Sequence, residues 1–553
     1  MKALLLLAAA FAATPVFAQI TVPPASDPGA LQQQRIDEAE RRRQLEQLER
    51  APVTDPLRRD QLDTPAVRAE PGGPRFMVRQ IRFTPSDILS SEELGELAAG
   101  YLGRELTFAD LLALVDRINA AYRARRVVTA QAVLPPQDVS DGIVTIRLVE
   151  GRLGTFRFDG NDSTQDGYIT GRIGLKPGEL VDLPTLEQDL IRFNRTNDVQ
   201  LRAELKPGTV FATSDLEIKV EEPPRHDLRF TLDNAGSSST GKWRTGLAYL
   251  NRSLLGFRDD LSVSTTHAHG QESYSVAYGI PINRSGGRLA LAYYKDRIAV
   301  RRGPLSSLDL TGRSTGTVLS LRQPLRLGER SRLDLVAGAK RRHTTNWISG
   351  VFLQRTRTTD ASLGLELQAA DDTGIWLAGY SLVSGRADGM ERDRYTLGRG
   401  SIRRLQTLAD GWSARAGLSF QHTSHDLLPS SEQVLIGGEY SVRGYPVGSH
   451  AGDRGFTLNL ELHHPLGRIG DESSGGAITA NGFFFFDHGR VTPYRPPNSS
   501  LPRHEKLSSI GWGANLTIGK RTTARITFAR ALDRVPDESR RYQVHFQLAV
   551  SLF

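Results

Sequence analysis

The sequence predicts an α+β N-terminal part of two small modules, followed by an all-β part that forms a membrane barrel of about sixteen antiparallel strands. Three observations lead to this fold class. A strand–helix–helix–strand–strand order occurs twice between Phe76 and Pro224. The helical period then ends, and segments with alternating apolar and polar side chains follow. About 330 residues, at roughly 20 per strand and turn, give an even number of strands that suits a closed barrel.

Composition excludes several classes of function. The chain has 553 residues, a net charge of +8 and no cysteine. Without cysteine there are no disulfides and no thiolate chemistry, and the thinly spread charge does not predict nucleic-acid binding. After the first residues no apolar run reaches the about 18–20 residues of a spanning helix. Strands that face lipid on one side only would escape that test.

The N-terminus, residues 1–18, has the features of a secretory signal peptide. Lys2 precedes an apolar stretch from Leu4 to Ala13, and small residues lead to a cleavage site after Ala18. The alternative is a buried core helix. We expect the mature chain to leave the cytoplasm.

Residues 19–50 form the next predicted region, and within it residues 27–50 predict a strongly polar helix. Three acids lie four residues before an arginine, the favourable order for charge pairs; these are Asp37–Arg41, Glu38–Arg42 and Glu46–Arg50. Its few apolar residues cannot form a core face, so the helix requires solvent or a wet channel. Residues 51–74 contain five prolines and no periodicity, which predicts a flexible linker.

Residues 75–151 and 152–224 are the two predicted modules. In the first, Ser90 with Glu93 three residues later indicates a helix start. A repeated unit of this length is typical of a tandem array, and two unrelated α+β domains are the alternative. The element order, and the segment PPQDVSDGIVTIRLVEGRLG at residues 135–154, resemble the POTRA domain, the periplasmic module of outer-membrane protein translocators. That resemblance implies an exposed strand edge to which an extended client can add a strand.

Residues 225–553 predict the barrel. In ESYSVAYGIPI, for example, Tyr274 and Val276 alternate with Ser273 and Ser275. A soluble sandwich also alternates, but closure into a barrel removes the sheet edges that so many strands would otherwise expose. The chain ends on Phe553, as outer-membrane proteins commonly do, although this residue falls on the polar side of its strand. A barrel of this size is wide enough for an aqueous lumen, into which Arg415 and Arg525 would point.

One connection, at about residues 425–453, is far longer than most, and long loops tend to be functional. It contains Val442, Arg443, Gly444 and Tyr445 in a glycine-rich stretch. Its partner is predicted in the strand NGFFFFDHGRV, where alternation directs Asp487 inward between phenylalanines. A carboxylate there is costly unless it is paired, and a guanidinium can meet it with two hydrogen bonds. The alternatives are a plain turn, an Asp487 solvated by channel water and an Arg443 at the surface.

Together these features resemble the outer-membrane transporters of two-partner secretion, which include the haemolysin secretion/activation proteins and the filamentous-haemagglutinin transporter. In that family the VRGY loop folds into the barrel and its arginine pairs with the aspartate of an FxxFDxG motif. The matching residues here are Val442, Arg443, Gly444, Tyr445, Phe483, Phe486, Asp487 and Gly489.

The resemblance implies that the N-terminal helix plugs the lumen at rest. It implies that the POTRA modules, in the periplasm of a Gram-negative bacterium, bind an unfolded exoprotein with an N-terminal secretion domain. The other implied partners are outer-membrane lipid and, during biogenesis, the barrel assembly machinery. Whether the client is activated as well as exported stays open. No cofactor, metal or nucleic acid is implied.

Three other classes of function, an enzyme, a barrel-insertion factor and a porin, fit the sequence less well than a secretion transporter. An enzyme would need a site, and the sequence contains no HExxH motif, no complete Walker-type loop and no GxSxG elbow between a strand and a helix. The pairs His267/His269 and His422/His425 fit plain surface positions better than a metal site. A factor that inserts barrel proteins into the membrane would tend to have more POTRA units and no plug helix. A passive or substrate-specific porin would not need such modules.

Overall fold

In this computed structural model, the structure describes residues 22–49, 57–58, 74–125, 127, 129–210, 212–303, 306–388, 394–470, 477–535 and 540–553. The predicted signal peptide and nearly all of the predicted linker lie outside the described residues.

The first described elements are a helix and a very short strand. Helix α1 spans Pro28–Glu49 and follows a 3-10 turn at Pro24–Ser26. Its first turn is capped by Asp27, whose Oδ1 accepts the N–H of Ala30 at 3.0 Å. The described part of strand β1 is Leu57–Arg58. None of the described helices has both the length and the apolar character needed to cross a membrane.

The first module has two small sheets packed on two helices. Its elements are β2 (Phe76–Val78), β3 (Gln80–Phe83), α2 (Ser91–Ala99), β4 (Arg104–Leu106), α3 (Phe108–Ala124), β5 (Ala130–Val133) and β6 (Ile143–Glu150). The single strand expected over FMVRQIRF is therefore two strands, because β2 pairs with β4 and β3 pairs in parallel with β6. The Ser90 cap is present and accepts the N–H of Glu93.

The second module repeats this order. It contains β7 (Arg152–Asp159), α4 (Asp166–Thr170), α5 (Leu183–Thr196), β8 (Gln200–Pro207) and β9 (Thr213–Glu221). Strand β1 joins its sheet, which has the order β1-β8-β9-β7. The apolar face of α5 lies in a core of seventeen buried residues that includes Leu186, Leu190 and Phe193.

An asparagine on the second helix of each module closes part of the sheet edge. Asn119 of α3 accepts the N–H of Ala132 at 2.7 Å and donates to its carbonyl at 3.4 Å. Asn194 of α5 makes the same pair of bonds with Leu201 of β8, at 2.7 and 2.9 Å. The amide side chain therefore replaces one residue of a neighbouring strand in both modules, which adds to the similarity between them.

The C-terminal part is a closed antiparallel barrel of sixteen strands, as the alternation predicted. Its first eleven strands are β10 (His226–Asp233), β11 (Arg244–Asn251), β12 (Asp260–Ala268), β13 (Gln271–Pro281), β14 (Arg288–Ala299), β15 (Leu310–Leu327), β16 (Ser331–Ile348), β17 (Val351–Asp371), β18 (Gly374–Asp388), β19 (Arg394–Thr407) and β20 (Ser413–His422). After the two short strands β21 (Val434–Ile436) and β22 (His450–Gly452), the barrel continues with β23 (Arg454–Ile469), β24 (Ile478–Thr492), β25 (Glu505–Ile518), β26 (Thr522–Ala531) and β27 (Tyr542–Ser551). Pairing of β10 with β27 closes the sheet, which excludes the sandwich.

The two faces of the barrel differ as expected. On β13, Tyr274 and Val276 are 50% and 46% exposed on the outside, whereas Ser273 is fully buried on the inside. An outward surface of this kind, rich in leucine and aromatic residues, suits contact with lipid.

The second module docks against the barrel turns at the end from which the chain enters. Arg258, in the turn before β12, is 1% exposed and donates two hydrogen bonds to Asp198, at 3.0 and 2.5 Å. It also donates to Ser163 Oγ at 3.2 Å. This end of the barrel therefore lies on the side of the modules, and the connection that contains Arg443 lies at the opposite end.

We predict that Asn119→Ala lowers the free energy of unfolding of a fragment spanning residues 75–224 by about 1–3 kcal/mol, because the backbone groups of Ala132 lose their partner. Gln131→Ala, an exposed neighbour on the same strand, is the control. Urea unfolding followed by circular dichroism measures both. Equal midpoints for the two variants would show that the asparagine adds nothing to stability.

Candidate functional site in the barrel lumen

The inward loop, residues 425–453, leaves the barrel rim after β20 and folds back into the lumen. Its two short strands pair with each other, from Val434↔Gly452 to Ile436↔His450. Gly437 and Gly438, which follow β21, have φ of 105° and 97° and so reverse the chain where side chains would be strained. At the base, Asp453 accepts the backbone N–H groups of Leu427 and Leu428.

Arg443 lies near the tip of the inward loop and is 3% exposed. Its Nε and Nη2 each donate to Asp487 of β24 at 2.7 Å, so the pair is bidentate. The backbone N–H of Arg443 also donates to Asp487, at 3.1 Å. Asp487 also accepts a hydrogen bond from the side-chain amide of Asn459, at 2.8 Å. A charge-assisted pair with these additional bonds satisfies the conditions for a buried ion pair.

A second carboxylate stabilises the same guanidinium. Glu461 of β23 accepts from Arg443 Nη1 at 2.5 Å and from Arg525 Nη2 at 2.8 Å. Its other oxygen lies 2.8 Å from His463 Nε2. Glu439 of the inward loop adds a third carboxylate, 3.7 Å from Arg525 Nε. Two arginines therefore lie among three carboxylates in this lumenal cluster.

Two inward phenylalanines form the floor of the cluster. The Arg443 guanidinium lies 3.6 Å from the ring centre of Phe485, and that of Arg525 lies 4.3 Å from Phe483. Each ring lies over a glycine on the next strand, since the register pairs Phe483 with Gly513 and Phe485 with Gly511. A Cβ at either glycine would approach the ring within 2.6 Å.

The other loop residues pack where β24, β25 and β26 meet. Val442 is fully buried with Ile436, Tyr445 and Leu507. A Cβ on Gly489 would lie 2.9 Å from Val442 Cγ2, so glycine makes room for the loop. The Tyr445 hydroxyl donates to the Ser508 carbonyl and accepts the N–H of Asp533, both at 2.8 Å. A side chain at Gly444, whose φ is 90°, would meet the β26 backbone.

A second polar centre lies against strands β16 and β19. Glu432 of the inward loop is fully buried. It accepts hydrogen bonds from Lys340 at 2.9 Å, Arg342 at 3.3 Å and Arg399 at 3.0 Å. Three cations of β16 and β19 thus hold the loop to a second part of the barrel wall.

Helix α1 lies inside the barrel and shares this centre. Arg342 donates to Gln32 at 2.9 Å and to Gln33 at 2.7 Å, as well as to Glu432. Asp296 of β14 accepts from Gln32 at 2.6 Å and forms an ion pair with Arg35. The contacts between the helix and the barrel wall are therefore mostly polar, as expected of a helix with few apolar residues.

The helix also touches the inward loop directly. Leu31 packs with Val447, Arg41 donates to the carbonyl of Tyr440, and Arg42 donates to its hydroxyl at 3.3 Å. The loop therefore connects α1 to the barrel wall through Arg443 and Glu432. A cavity of about 510 Å³ remains beside the helix, lined by Gln33, Ile36, Arg399, Arg403 and Tyr440 among others.

The structure places all eight sequence-predicted site residues on the inward loop or on β24. Seven of them lie at the interface between loop and wall, whereas Phe486 faces outward and is 37% exposed. Other residues of the site were not in the predicted set, among them Phe485, Glu461, Arg525 and Glu432. The inward parity of Phe485, Glu461 and Arg525 was visible in the sequence, but no pattern pointed to the loop residue Glu432.

The histidine pair His422/His425, which was considered for a metal site, contacts a tyrosine and a threonine. His422 lies 2.8 Å from the hydroxyl of Tyr380, and His425 lies beside Thr423. Within the described ranges no three His, Asp or Glu side chains form a cluster suited to a metal ion.

Two family models match the chain. The model for haemolysin secretion/activation protein ShlB/FhaC/HecB matches residues 212–517, more than half of the sequence. The ShlB-type POTRA domain model matches residues 76–151.

Individual relatives agree with these matches. The chain is 26% identical to outer membrane transporter CdiB of Dickeya dadantii, over 71% of this chain and 73% of the relative. It is 22% identical to heme/hemopexin transporter protein HuxB of Haemophilus influenzae, over 82% and 83%. Among solved structures, CdiB from Escherichia coli superposes with a TM-score of 0.64 at 22% identity, covering 95% of this chain and 98% of that one. The fold of the two chains is shared.

We predict that Gly489→Ala displaces the inward loop, because the added methyl group overlaps Val442. Overpacking of this kind costs about 1–3 kcal/mol. The thermal unfolding temperature of the purified barrel in detergent should fall, and the double variant Gly489→Ala with Val442→Ala should recover part of the loss. A double variant no more stable than Gly489→Ala alone would contradict the packing argument.

Proposed function

Because this chain belongs to the haemolysin secretion/activation family ShlB/FhaC/HecB, we propose that it captures an unfolded exoprotein with its POTRA modules and passes it through the barrel. It is an outer-membrane transporter of two-partner secretion, with its POTRA modules in the periplasm. The client we propose is a secreted protein with an N-terminal secretion domain. Nucleotide is not available in the periplasm, so folding outside the cell would drive the transfer.

The observation that carries the proposal is the way the lumen is filled. A sixteen-stranded barrel is wide enough for an aqueous channel, yet α1 and the inward loop occupy it through contacts that are mostly polar. Polar contacts can be exchanged for water when the helix leaves, whereas a packed apolar core could not open at small cost. This arrangement supports a helix that closes a protein-conducting pore at rest.

We further propose a role for the Arg443–Asp487 pair. The loop is the element that both α1 and the wall contact, so its position sets the shape of the lumen. The bidentate bonds hold the tip of the loop against β24 while other contacts of the loop change. In this view Arg443 positions the loop within the channel and takes part in no covalent step.

Export of the client protein should collapse in Arg443→Ala. Removing one partner of a buried pair costs about 3–5 kcal/mol, because the remaining carboxylate is left without its charge partner. Arg443→Lys keeps the charge but loses the two-pronged bond, so its export should be intermediate. Immunoblots of culture medium measure export, and the heat-modifiable mobility of the barrel controls for assembly. Normal export in Arg443→Ala, with an assembled barrel, would remove the proposed role.

Closure by α1 is tested by electrical conductance in planar bilayers. Deletion of residues 27–50 should raise the open-state conductance, since the lumen loses its occupant. Arg342→Ala should raise the frequency of opening, because Gln32, Gln33 and Glu432 lose their common donor.

Arg341→Ala is the matched control for that measurement, as it changes the same residue type at an exposed position one residue away. Unchanged conductance in the deletion variant would argue against closure by the helix.

A further inference from the structure

The outward surface of the barrel carries a group of arginines on strands β15 to β19, near the rim from which the inward loop leaves. Strand β17 shows the arrangement. In its half nearer to the periplasmic modules the outward positions are taken by Leu363, Leu365 and Leu367, which are 41–57% exposed. Towards the outer rim the exposed positions of the same strand are taken by Arg355 and Arg357. Positive charge therefore begins above the apolar surface.

The strand register brings these arginines together on one surface, the outer cationic face. Thr345 of β16 is the cross-strand partner of both Arg313 and Arg355, and Arg386 is paired directly with Arg394. Paired strands lie about 4.7–4.9 Å apart, and successive outward residues are about 7 Å apart along a strand. Long side chains at these spacings can reach a common ligand. The members of the outer cationic face are Arg313, Arg355, Arg357, Arg386 and Arg394.

Acidic side chains do not balance the charge of this face. Asp388 lies 3.9 Å from Arg357 and 3.0 Å from Arg386. Among the outward side chains that the structure describes in the outer half of β15 to β19, it is the only acid. Like charges directly opposite each other on neighbouring strands are unfavourable, as for Arg386 and Arg394. An anion placed between these groups would therefore stabilise the sheet.

The position of the face relative to lipid narrows the choice of anion. Strand β17 has 21 residues, about twice the 9–11 that cross a membrane, so its outer part extends beyond the apolar layer. On β18, Arg386 follows the exposed Leu382 by four residues, which is about 14 Å along the strand. With strands tilted by about 35–45°, this distance corresponds to roughly 10 Å of height. An arginine side chain can extend back from there to the lipid headgroups.

We propose that the outer cationic face binds the phosphate groups of a phosphorylated glycolipid of the outer leaflet. In a Gram-negative outer membrane this leaflet is built of lipopolysaccharide, whose lipid A carries phosphates directly above its acyl chains. A guanidinium meets phosphate with two parallel hydrogen bonds, which lysine cannot form, and all five cations of the face are arginines. The acyl chains would lie on the leucines below, such as Leu363 and Leu382.

The bound lipid would support a part of the wall that also matters inside the barrel. Strands β16 and β19 carry Lys340, Arg342 and Arg399 on their inner side, where all three contact Glu432 of the inward loop. A lipid held across β15 to β19 from outside would fix the spacing of these strands, and with it the site that holds the loop. The inference goes beyond export and requires no client.

Native mass spectrometry of the full chain in a mild detergent tests the inference, with purified lipid A carrying two phosphates as the probe. Replacing four arginines of the face with glutamine should weaken binding roughly tenfold or more, because each cation near anionic lipid adds to the attraction; the changes are Arg355→Gln, Arg357→Gln, Arg386→Gln and Arg394→Gln. Lysine at the same four positions should give intermediate binding, since the charge stays but the two-bond contact is lost. Dephosphorylated lipid A should not distinguish these chains.

The control variant removes the same number of positive charges from exposed positions of the first module, and it should bind lipid A as the unmodified chain does; its changes are Arg75→Gln, Arg82→Gln, Arg123→Gln and Arg147→Gln. An equal loss in both variants would show attraction to net charge alone and overturn the inference. Undiminished binding in the face variant, with an assembled barrel verified by heat-modifiable mobility, would show a merely solvated surface. Undiminished lipid binding with lost export would assign the face to the client, which would also overturn the inference.

Discussion

The buried guanidinium of Arg443 is the constraint on which the inside of the barrel depends. A charge with 3% exposure is tolerated only if carboxylates and hydrogen bonds surround it. Asp487, Glu461 and the ring of Phe485 supply those contacts from two adjacent strands. The tip of a long loop is thereby fixed to the barrel wall, and the glycines at positions 489, 511 and 513 leave the space that the loop and the rings require.

The lumenal helix depends on the loop in turn. Helix α1 has too few apolar residues to form a core of its own, and it is held by Arg342, Asp296 and the backbone of Tyr440. Arg342 is shared between the helix and Glu432 of the loop. A change in the helix or in the inward loop therefore alters the hydrogen bonds of the other. The two elements close the lumen together rather than independently.

The fold could be predicted from the sequence because its signals are local. Alternation along each strand gave the barrel and its two faces, and the repeated helix faces gave the modules. The inward direction of Asp487 followed from the same parity, and the likeness to a known family suggested its partner. Contacts between residues far apart in the chain have no local pattern in the sequence. Glu432 and its three cations, for example, come from three separate segments. The described part of strand β1, Leu57–Arg58, is too short to show any period. Asn119 and Asn194 look like ordinary helix residues.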